Sequence, residues 1–415
     1  MNDKIAILGL GYVGLPLAQE FSRFFETIGY DIDSSKIKNY KQGIDNNGYL
    51  DVTNNLLNKN LKFTSSLDEI ANCNIFIITV PTPITKTKEP DLSFLIKATD
   101  SVSKILKKGD IVIYESTVYP GCTEEDCVPI LENSNLKYNE DFYCGYSPER
   151  INPGDKKNTL TKIVKVTSGS NDIIAEKVDQ LYKKIISAGT HKASSIKVAE
   201  ASKAIENAQR DLNISFMNEL ALIFDKMDID TNEVIDAAAT KWNFMNFSPG
   251  LVGGHCISVD PYYLAYKSKS LGYFPEVILS GRRVNDLIPS FVSKKITKTL
   301  SERGLIEFEP KILILGITFK ENFSDIRNTK VPIIYNELKE NNFNIQVYDK
   351  YASSEEVNKR YNIKLKDNLS GKYHAIIIAV PHNDFIDLNY EEYLMDNGFI
   401  FDLKNCLKRN DTLKL

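Results

Sequence analysis

An apolar run that leads into three spaced glycines constrains the fold of this 415-residue chain more than any other feature. Ile5–Leu10 has the pattern of a short buried strand, and the glycines Gly9, Gly11 and Gly14 accompany its end. A helix is expected to begin near Val13. Strand, glycine turn and helix in this order are typical of the first unit of a doubly wound α/β sheet. The sequence therefore predicts an α/β domain at its start.

The same stretch predicts a dinucleotide site. Gly9 permits the tight turn, Gly11 lets the backbone approach a pyrophosphate, and Gly14 lets the helix pack closely on the strand. The helix N-terminus offers unpaired N–H groups to phosphate. Asp31 follows a second expected strand at about Thr27–Tyr30 and would bind ribose hydroxyls and repel a 2′-phosphate, which favours NAD over NADP. The alternative interpretation is a packing turn with a surface aspartate.

Apolar runs alternate with helical segments through the first 190 or so residues. A helix is expected at Phe94–Leu106. Further strands are expected at Asn74–Val80, Asp110–Tyr114 and Ile163–Val166. This alternation predicts a parallel sheet that helices cover on both faces. From Ser194 to about Asp228 no Pro or Gly interrupts the chain, which predicts a long joining helix, and a mostly helical region continues to about Leu300.

The last hundred residues resemble the first. Lys311–Ile317 is similar to Ile5–Gly11, and Ile376–Pro381 is similar to Phe76–Pro81, with a final strand expected at Phe399–Leu403. Because the second copy lacks the glycine pattern, we expect a similar sheet adapted to a different ligand. The predicted fold is two Rossmann-like doubly wound parallel sheets joined by a long central helix. The predicted domains are residues 1–192, 193–302 and 303–415.

Composition excludes several classes of partner. The 51 basic and 55 acidic residues are interspersed and give a net charge of −4, which argues against nucleic acid or an anionic membrane as the main partner. The six cysteines and four histidines show no disulfide framework or metal-binding spacing, so no metal site is predicted. No apolar run approaches the length that spans a bilayer. Reduced thiols and this lack of a spanning segment predict a cytoplasmic protein.

One cysteine has the surroundings of a nucleophile. In Gly250–Asp260, Cys256 follows paired glycines and precedes Asp260 by four residues. A thiol and a hydride acceptor in one protein suggest an alcohol oxidation that passes through an aldehyde and a thioester to an acid. Cys256 would attack the aldehyde as a thiolate, activated by a neighbouring cation. The alternative interpretation is a buried, inert cysteine.

Other polar residues supply the groups that this chemistry needs. Thr117 lies in a loop just after a predicted strand, and such loops face the ligand crevice of a parallel sheet. Glu149 is expected in another loop on the same edge. Lys203 and Asn207 are four residues apart on the long helix, so they share a face and could stabilise developing oxyanions. Asp260 and Glu149 are candidates for positioning water and moving protons. The plainer alternatives are that Lys203 is a solvated helix lysine and that Glu149 forms a surface ion pair with Arg150.

Taken together, these motifs resemble the UDP-glucose/GDP-mannose dehydrogenase family over essentially the whole chain. The matching motifs are Gly9–Gly14, Val80–Pro83, Glu115–Thr117, Ser147–Glu149, Lys203 with Asn207, Gly253–Asp260 and Phe319–Lys320. The resemblance implies an N-terminal NAD domain, a central helical region that forms a homodimer, and a C-terminal domain for the UDP moiety. It also implies a four-electron oxidation of a sugar C6 alcohol with two molecules of NAD.

The resemblance further implies a set of site residues. The implied catalytic residues are Cys256, Lys203, Asn207, Asp260, Glu149 and Thr117. The implied cofactor contacts are Gly9, Gly11, Tyr12, Val13, Gly14, Asp31, Pro81, Thr82, Thr117 and Arg327. The implied substrate contacts are Glu149, Arg150, Lys203, Asn207, Gly253, Arg282, Phe319 and Lys320. Tyr12 and Val13 are better explained by packing than by contact with the cofactor.

Departures from the glucose-specific branch narrow the expected substrate. Pro153 stands where that branch usually has a second glutamate. Together with Ser147–Asp155 and Gly281–Asp286, this resembles the branch that acts on UDP-N-acetylhexosamines. The expected substrate is UDP-N-acetylglucosamine, and its uronic acid product would serve a surface polysaccharide. UDP-N-acetylgalactosamine, UDP-N-acetylmannosamine and UDP-glucose remain open as substrates, as do a two-electron hydroxyacid-type dehydrogenase and a nucleotide-sugar-binding regulator without turnover.

Overall fold

The computed structural model describes residues 3–45, 59–151, 157–407, 409 and 411–415. The chain divides into two compact units, one of Met1–Glu206 with Tyr262–Tyr273 and one of Asn207–Pro261 with Phe274–Leu415. The boundaries of the three predicted domains stay a prediction. The part of the predicted loop motif from residue 152 to residue 155, which includes Pro153, lies outside the described residues.

Strands of two sheets alternate with helices along the described chain. The first sheet contains β1 (Lys4–Leu8), β2 (Glu26–Tyr30), β3 (Leu61–Thr64), β4 (Ile75–Ile78), β5 (Ile111–Tyr114), β6 (Tyr143–Tyr146), β7 (Lys165–Gly169) and β8 (Thr190–Lys192). The second contains β9 (Lys311–Leu315), β10 (Asn344–Tyr348), β11 (Tyr373–Ile378), β12 (Leu394–Asp402) and β13 (Leu413–Lys414).

The helices include two of unusual length, α6 and α9. The α-helices are α1 (Gly14–Ser22), α2 (Ser34–Lys41), α3 (Ser93–Ser103), α4 (Val128–Leu131), α5 (Asp172–Lys183), α6 (Ile196–Asp225), α7 (Thr231–Ala239), α8 (Asp260–Ser270), α9 (Glu276–Glu302), α10 (Val331–Glu340), α11 (Ser354–Tyr361) and α12 (Asn383–Ile386). A π-helical turn covers Thr123–Cys127, and 3₁₀ turns cover Glu132–Ser134, Leu160–Lys162, Ile306–Phe308 and Tyr390–Glu392.

The first sheet has the order β3-β2-β1-β4-β5-β6-β7-β8. The strand order reverses between β1 and β4, so that β2 and β3 lie on one side of β1 and the later strands on the other. In sheets of this kind, ligands bind at the carboxyl ends of the strands next to such a switch point. The predicted doubly wound sheet is therefore confirmed. The expectation of a wholly parallel sheet is wrong at one place, since β6 and β7 pair antiparallel. The strand expected at Ile163–Val166 begins later, at Lys165.

The first unit forms its core around the central strands. Every residue of β4 and β5 is buried, because helices cover both faces of the sheet. Phe21 of α1 and Tyr182 of α5 lie edge to face with ring centroids 5.5 Å apart. This continuous apolar burial holds the carboxyl ends of the strands, and the loops that follow them, in fixed positions.

The second sheet is parallel and has the order β10-β9-β11-β12-β13. Here β9 lies between β10 and β11, just as β1 lies between β2 and β4, so the predicted second Rossmann-like sheet is confirmed. The strand predicted at Phe399–Leu403 is present as the end of β12, but it is longer than predicted and is not the final strand. The strand begins already at Leu394, where polar residues mask the apolar pattern, and the short strand β13 follows it.

The predicted long helix is present as α6, which contains 30 residues. Ser195 precedes it, and its Oγ accepts a hydrogen bond from the N–H of Val198 at 3.2 Å, so the predicted serine cap is formed. The described helices include none that is both long enough and apolar enough to cross a membrane.

Candidate active site

The glycine turn after β1 has the geometry that a dinucleotide requires. Gly9 has a positive φ of 97°, which a residue with a Cβ rarely adopts. A Cβ on Gly14 would collide with the carbonyl oxygen of Gly9, so this glycine allows the close packing of α1. Around Gly11, by contrast, a Cβ would meet nothing within 4 Å. The turn therefore leaves open space beside a helix N-terminus, and it fits the pyrophosphate of NAD.

Asp31 lies at the carboxyl end of β2, beside this turn. Its Oδ2 accepts a hydrogen bond from the N–H of Leu10 at 2.9 Å, and its Oδ1 accepts one from the N–H of Asp33 at 3.0 Å. The Nζ of Lys36 lies 3.8 Å from Oδ2. These bonds fix the carboxylate where the sequence predicts a ribose to bind.

The loops after β4 and β5 are bonded to each other in the first unit. Ser116 donates from its Oγ to the carbonyl of Val80 at 2.6 Å, and Tyr146 donates to the carbonyl of Ser116 at 3.2 Å. Thr117, the next residue, is half-buried. The hydroxyl of Tyr263 lies 2.9 Å from the carbonyl oxygen of Thr82. The predicted residues Pro81, Thr82 and Thr117 thus lie on loops with defined positions at the sheet edge.

Glu149 and Lys203 form a buried ion pair. Their side chains are only 6% and 4% exposed, and Nζ lies 3.7 Å from Oε2. Glu149 also accepts a hydrogen bond from the N–H of Ile151. The neighbouring Arg150 pairs with Glu206, donating from Nε at 2.9 Å. Burying charges is costly unless they are paired, so pairs of this kind are candidates for a functional site as well as for structure.

A second buried pair, which the sequence analysis missed, supports the loop that carries Glu149. The Nζ of Lys165 lies 2.6 Å from Glu115 and donates to the carbonyl of Pro148 at 3.0 Å. Tyr182 donates a hydrogen bond to the same carboxylate. Glu115 belongs to one of the matching motifs, but Lys165 is the first residue of β7, and no local pattern marks it.

In the second unit, Cys256 precedes the N-terminus of α8. Its carbonyl oxygen accepts hydrogen bonds from the N–H groups of Val259 at 2.9 Å and Asp260 at 2.8 Å. A helix N-terminus favours negative charge, including that of a thiolate. Four of the six cysteines are buried, whereas Cys256 and Cys406 are half-buried. Accessibility and position therefore distinguish Cys256 from a cysteine that only fills the core.

Asn207 and Asp260 are in direct contact. The Nδ2 of Asn207 donates to the Oδ2 of Asp260 at 2.6 Å, and Asp260 is 1% exposed. Asn207 lies one turn of α6 after Lys203, so the two side chains share a face of that helix. The structure therefore brings together two of the predicted catalytic residues in the second unit and, separately, Glu149 and Lys203 in the first.

A buried polar network holds the beginning of the cysteine segment. Asn218 accepts from the N–H of Gly250 at 2.7 Å and donates to its carbonyl at 3.0 Å. Asn285 accepts from Asn218 and donates to Asp211, each at 2.7 Å. Arg282 donates to Asp211 at 2.6 Å and is 2% exposed. The described contacts of Arg282 are thus structural, and its contact with substrate stays a prediction.

A pocket in the second unit collects the predicted nucleotide residues. Its lining includes Gly253 of the cysteine segment, Phe319 and Lys320 after β9, Lys330 before α10, and Lys404 after β12. Three lysines suit an anionic ligand such as a diphosphate. Lys404 was not predicted, although a basic residue directly after an expected strand was a signal for it. Burial lowers the pKa of Lys404.

The segment after β9 also contacts the cysteine segment. The ring of Phe319 lies directly against Gly254, leaving no room for a Cβ there. Asn328 donates to the carbonyl of Gly254 at 3.0 Å. Arg327 donates from Nε to Asp325 at 2.8 Å, and its predicted contact with the cofactor stays a prediction. The ring of His255 lies edge to face on Phe319, with centroids 6.0 Å apart.

Comparison with known proteins agrees with this arrangement. Domain models of the UDP-glucose/GDP-mannose dehydrogenase family match the chain at residues 3–186 (NAD binding domain), 197–287 (central domain) and 313–409 (UDP binding domain). The chain belongs to this family of dehydrogenases. The predicted family, the predicted oxidoreductase class and the predicted cofactor NAD are thereby confirmed, and the enzyme is an NAD-dependent UDP-sugar dehydrogenase.

Individual relatives cover nearly the whole chain. It is 55% identical to a UDP-N-acetyl-D-glucosamine 6-dehydrogenase of Pseudomonas aeruginosa, over 98% of each chain. It is 52% identical to an enzyme of the same name from Salmonella typhi, over 97% of this chain and 96% of the relative. The solved structure of a UDP-D-ManNAc dehydrogenase from Pyrococcus horikoshii superimposes with a TM-score of 0.89 at 29% identity, covering 99% of this chain and 98% of that one.

Proposed function

We propose that the enzyme is a UDP-N-acetylglucosamine 6-dehydrogenase that oxidises the C6 alcohol of its substrate to the carboxylic acid. Two relatives with this name, 55% and 52% identical over nearly the full chain, support this substrate. The motifs around Ser147 and Gly281 also favour a UDP-N-acetylhexosamine, because they resemble the branch of the family that acts on such substrates. The product would be a uronic acid unit for a surface polysaccharide.

The proposed mechanism proceeds through sulfur. NAD, when bound, accepts a hydride in each of two oxidation steps. After the first step, the thiolate of Cys256 adds to the aldehyde carbon and forms a thiohemiacetal. Loss of a second hydride leaves a thioester, and water cleaves the carbon–sulfur bond to release the acid and restore the thiol. The position of Cys256 before α8 supports its role as the nucleophile.

The remaining catalytic residues handle charge and protons. The ammonium of Lys203 and the amide of Asn207 would stabilise the oxyanion that forms on the sugar carbon. Asp260 holds the amide of Asn207 through their 2.6 Å bond and is proposed to take up a proton from attacking water. Glu149 and Thr117 are proposed to position water and to assist proton transfer in the same reaction.

We propose binding roles for the predicted residues of each site. Gly9, Gly11, Gly14 and Asp31 would hold NAD, with help from Tyr12, Val13, Pro81, Thr82, Thr117 and Arg327. Gly253, Phe319, Lys320, Arg150 and Arg282 would act on the nucleotide sugar together with the catalytic side chains. We also propose three domains, at 1–192, 193–302 and 303–415, a homodimer formed through the central helix, and a cytoplasmic location.

The observation that carries the mechanism is that the half-buried Cys256 lies four residues before Asp260, whose carboxylate accepts the hydrogen bond from Asn207. The test is a panel of UDP-glucose and the UDP-N-acetyl sugars of gluco, galacto and manno configuration, with NADH counted per substrate consumed. We expect two NADH per UDP-N-acetylglucosamine and a product heavier by 14 mass units, because CH₂OH becomes COOH.

Other outcomes separate the alternatives. A preference for UDP-glucose over every N-acetylated sugar would contradict the substrate assignment. One NADH per substrate with a carbonyl product would favour the two-electron dehydrogenase. Lack of turnover with all four sugars, together with retained UDP binding, would favour a regulator.

A further inference from the structure

The two sheets carry an aspartate at the same place. Asp31 follows β2 and accepts from the N–H of Leu10 at 2.9 Å, and Asp349 follows β10 and accepts from the N–H of Ile317 at 2.7 Å. In each case the other carboxylate oxygen accepts the N–H two residues further along the chain, at 3.0 Å and 2.8 Å. The second sheet thus repeats the hydrogen bonding that places the proposed ribose acceptor in the first.

Asp349 differs from Asp31 because a histidine side chain contacts its carboxylate. The Nε2 of His382 lies 3.2 Å from the Oδ2 of Asp349 and 3.3 Å from the Oγ1 of Thr318. The imidazole is fully buried and stacks on the ring of Tyr351, with centroids 4.5 Å apart. Where the first sheet offers a carboxylate to a nucleotide, the second uses the carboxylate to hold a side chain.

The other ring nitrogen of His382 holds backbone. Its Nδ1 accepts a hydrogen bond from the N–H of Asn322 at 2.8 Å, so the ring proton is on Nε2, which donates toward Asp349. Burial raises the pKa of Asp349, but hydrogen bonds from His382 and from the N–H of Ile317 outweigh this and lower it overall. The pair is therefore a neutral imidazole that donates to an ionised carboxylate.

These bonds place His382 between two walls of the nucleotide pocket. One wall is formed by the segment from Thr318 to Glu321, and the other by Ala379 to Pro381. His382 follows the second wall directly in sequence. It bonds to Thr318 at the start of the first wall and to Asn322, the residue after its end. His382 itself is not among the residues that line the pocket.

We propose that His382 is a positioning residue for nucleotide-sugar binding, which fixes the backbone from Thr318 to Asn322 so that Phe319 and Lys320 face the bound nucleoside diphosphate. This inference rests on the proposed function, since the pocket is itself proposed as the site for the UDP-sugar. Loss of the bond to Asn322 leaves a part-buried N–H without this acceptor and loosens this wall.

The test compares two conservative variants of the full-length enzyme. In His382→Asn, the amide oxygen falls near the place of Nδ1 and can still accept from Asn322. In His382→Gln, the longer side chain keeps a donor toward Asp349 but offers Asn322 no acceptor. We expect His382→Gln to raise the KM for UDP-N-acetylglucosamine about tenfold, with kcat within about twofold and the KM for NAD unchanged. His382→Asn should recover the KM to within about threefold of wild type.

His374→Asn is the matched control. Its Nδ1 also accepts a backbone N–H, that of Lys311 at 3.0 Å, but at the start of β9, the opposite end of the strand from the pocket. We expect this variant to leave both KM values and kcat unchanged. A wild-type KM for UDP-N-acetylglucosamine in His382→Gln would overturn the proposal. Equal effects on kcat and on the KM for NAD would also overturn it, because they indicate a general structural role.

Two further measurements keep the proposal testable if His382→Gln does not fold or if the wild-type enzyme shows no turnover. If His382→Gln yields no folded protein, Thr318→Val removes the hydroxyl next to the imidazole and should raise the same KM alone, and an unchanged KM overturns the proposal. If wild type does not oxidise UDP-N-acetylglucosamine, the proposed function has failed. Calorimetric titration with UDP then still decides: weaker binding by His382→Gln supports the positioning role, and equal binding overturns it.

Discussion

At the scale of single residues, the proposed chemistry depends on Cys256. Cys256 is half-buried and lies shortly before α8, whereas Cys73, Cys122, Cys127 and Cys144 are buried. The remaining cysteine, Cys406, is also half-buried, but its Sγ lies 3.3 Å from the carboxylate of Asp402. Burial, with the neighbouring carboxylate, raises the pKa of Cys406 to about 12, which keeps it protonated at neutral pH. Chemical environment therefore separates two cysteines of similar exposure.

Replacing the nucleophile gives the sharpest residue-scale prediction. Cys256→Ala should lower uronic acid formation by about 10³-fold or more, because no other group can form the thioester. The product would be quantified by mass spectrometry at saturating NAD. Cys406→Ala serves as the control and should retain activity to within about twofold. Normal acid formation by Cys256→Ala would rule out the thioester mechanism.

At the scale of elements, α6 joins functional residues to structural ones. Glu200 lies on the same helix as Lys203 and is fully buried. It accepts hydrogen bonds from the N–H groups of Gly121 at 2.5 Å and Thr123 at 2.9 Å, and so holds the start of the π-helical turn. Burial raises the pKa of Glu200 to about 7. The packing of this helix against the turn is therefore coupled to a protonation equilibrium.

The shifted pKa predicts a pH dependence of stability. The ordinary value is 4.5, so between pH 4.5 and about 7 the folded protein holds a proton that the unfolded chain has lost. The contribution of Glu200 to the free energy of unfolding must then fall as pH rises through this window, by at most about 1.4 kcal/mol per pH unit. Glu200→Gln cannot ionise, so this part of the slope should disappear in urea unfolding measured from pH 5 to pH 8. Glu219→Gln, on an exposed face of α6, should follow wild type. Parallel curves for Glu200→Gln and wild type would contradict the assignment.

The elements also show why part of the site could be predicted and part could not. The glycine turn and the cysteine segment each carry their signal within about ten neighbouring residues, because backbone conformation and a helix start are local properties. The pair Lys165–Glu115 joins residues 50 positions apart, and His382–Asp349 joins residues 33 apart. A single sequence contains no local pattern for such pairs, since only the sheet topology brings them together. The start of β12 could not be predicted for a related reason. Its pairing with β11, and not its own polar composition, makes it part of a strand.

At the scale of the whole molecule, we expect two copies of the chain to associate. Helix α6 exposes large apolar side chains, among them Phe216 at 53% and Ile223 at 45%. Such side chains are common at protein interfaces. Sedimentation equilibrium should give twice the chain mass of 47.0 kDa. Phe216→Glu should shift the protein toward the monomer, whereas Lys359→Glu on α11 should not. A monomer for wild type at micromolar concentration would contradict the proposed dimer.

The uninterrupted helix α6 limits where insertions and deletions can occur in this enzyme. Lys203 and Asn207 share one face only because each residue between them turns the backbone by about 100°. Inserting or deleting a single amino acid there would swing one side chain a quarter of the way around the axis, and no neighbouring loop could absorb the change. Homologous enzymes should therefore differ in the length of their surface loops while this stretch of helix keeps a constant residue count.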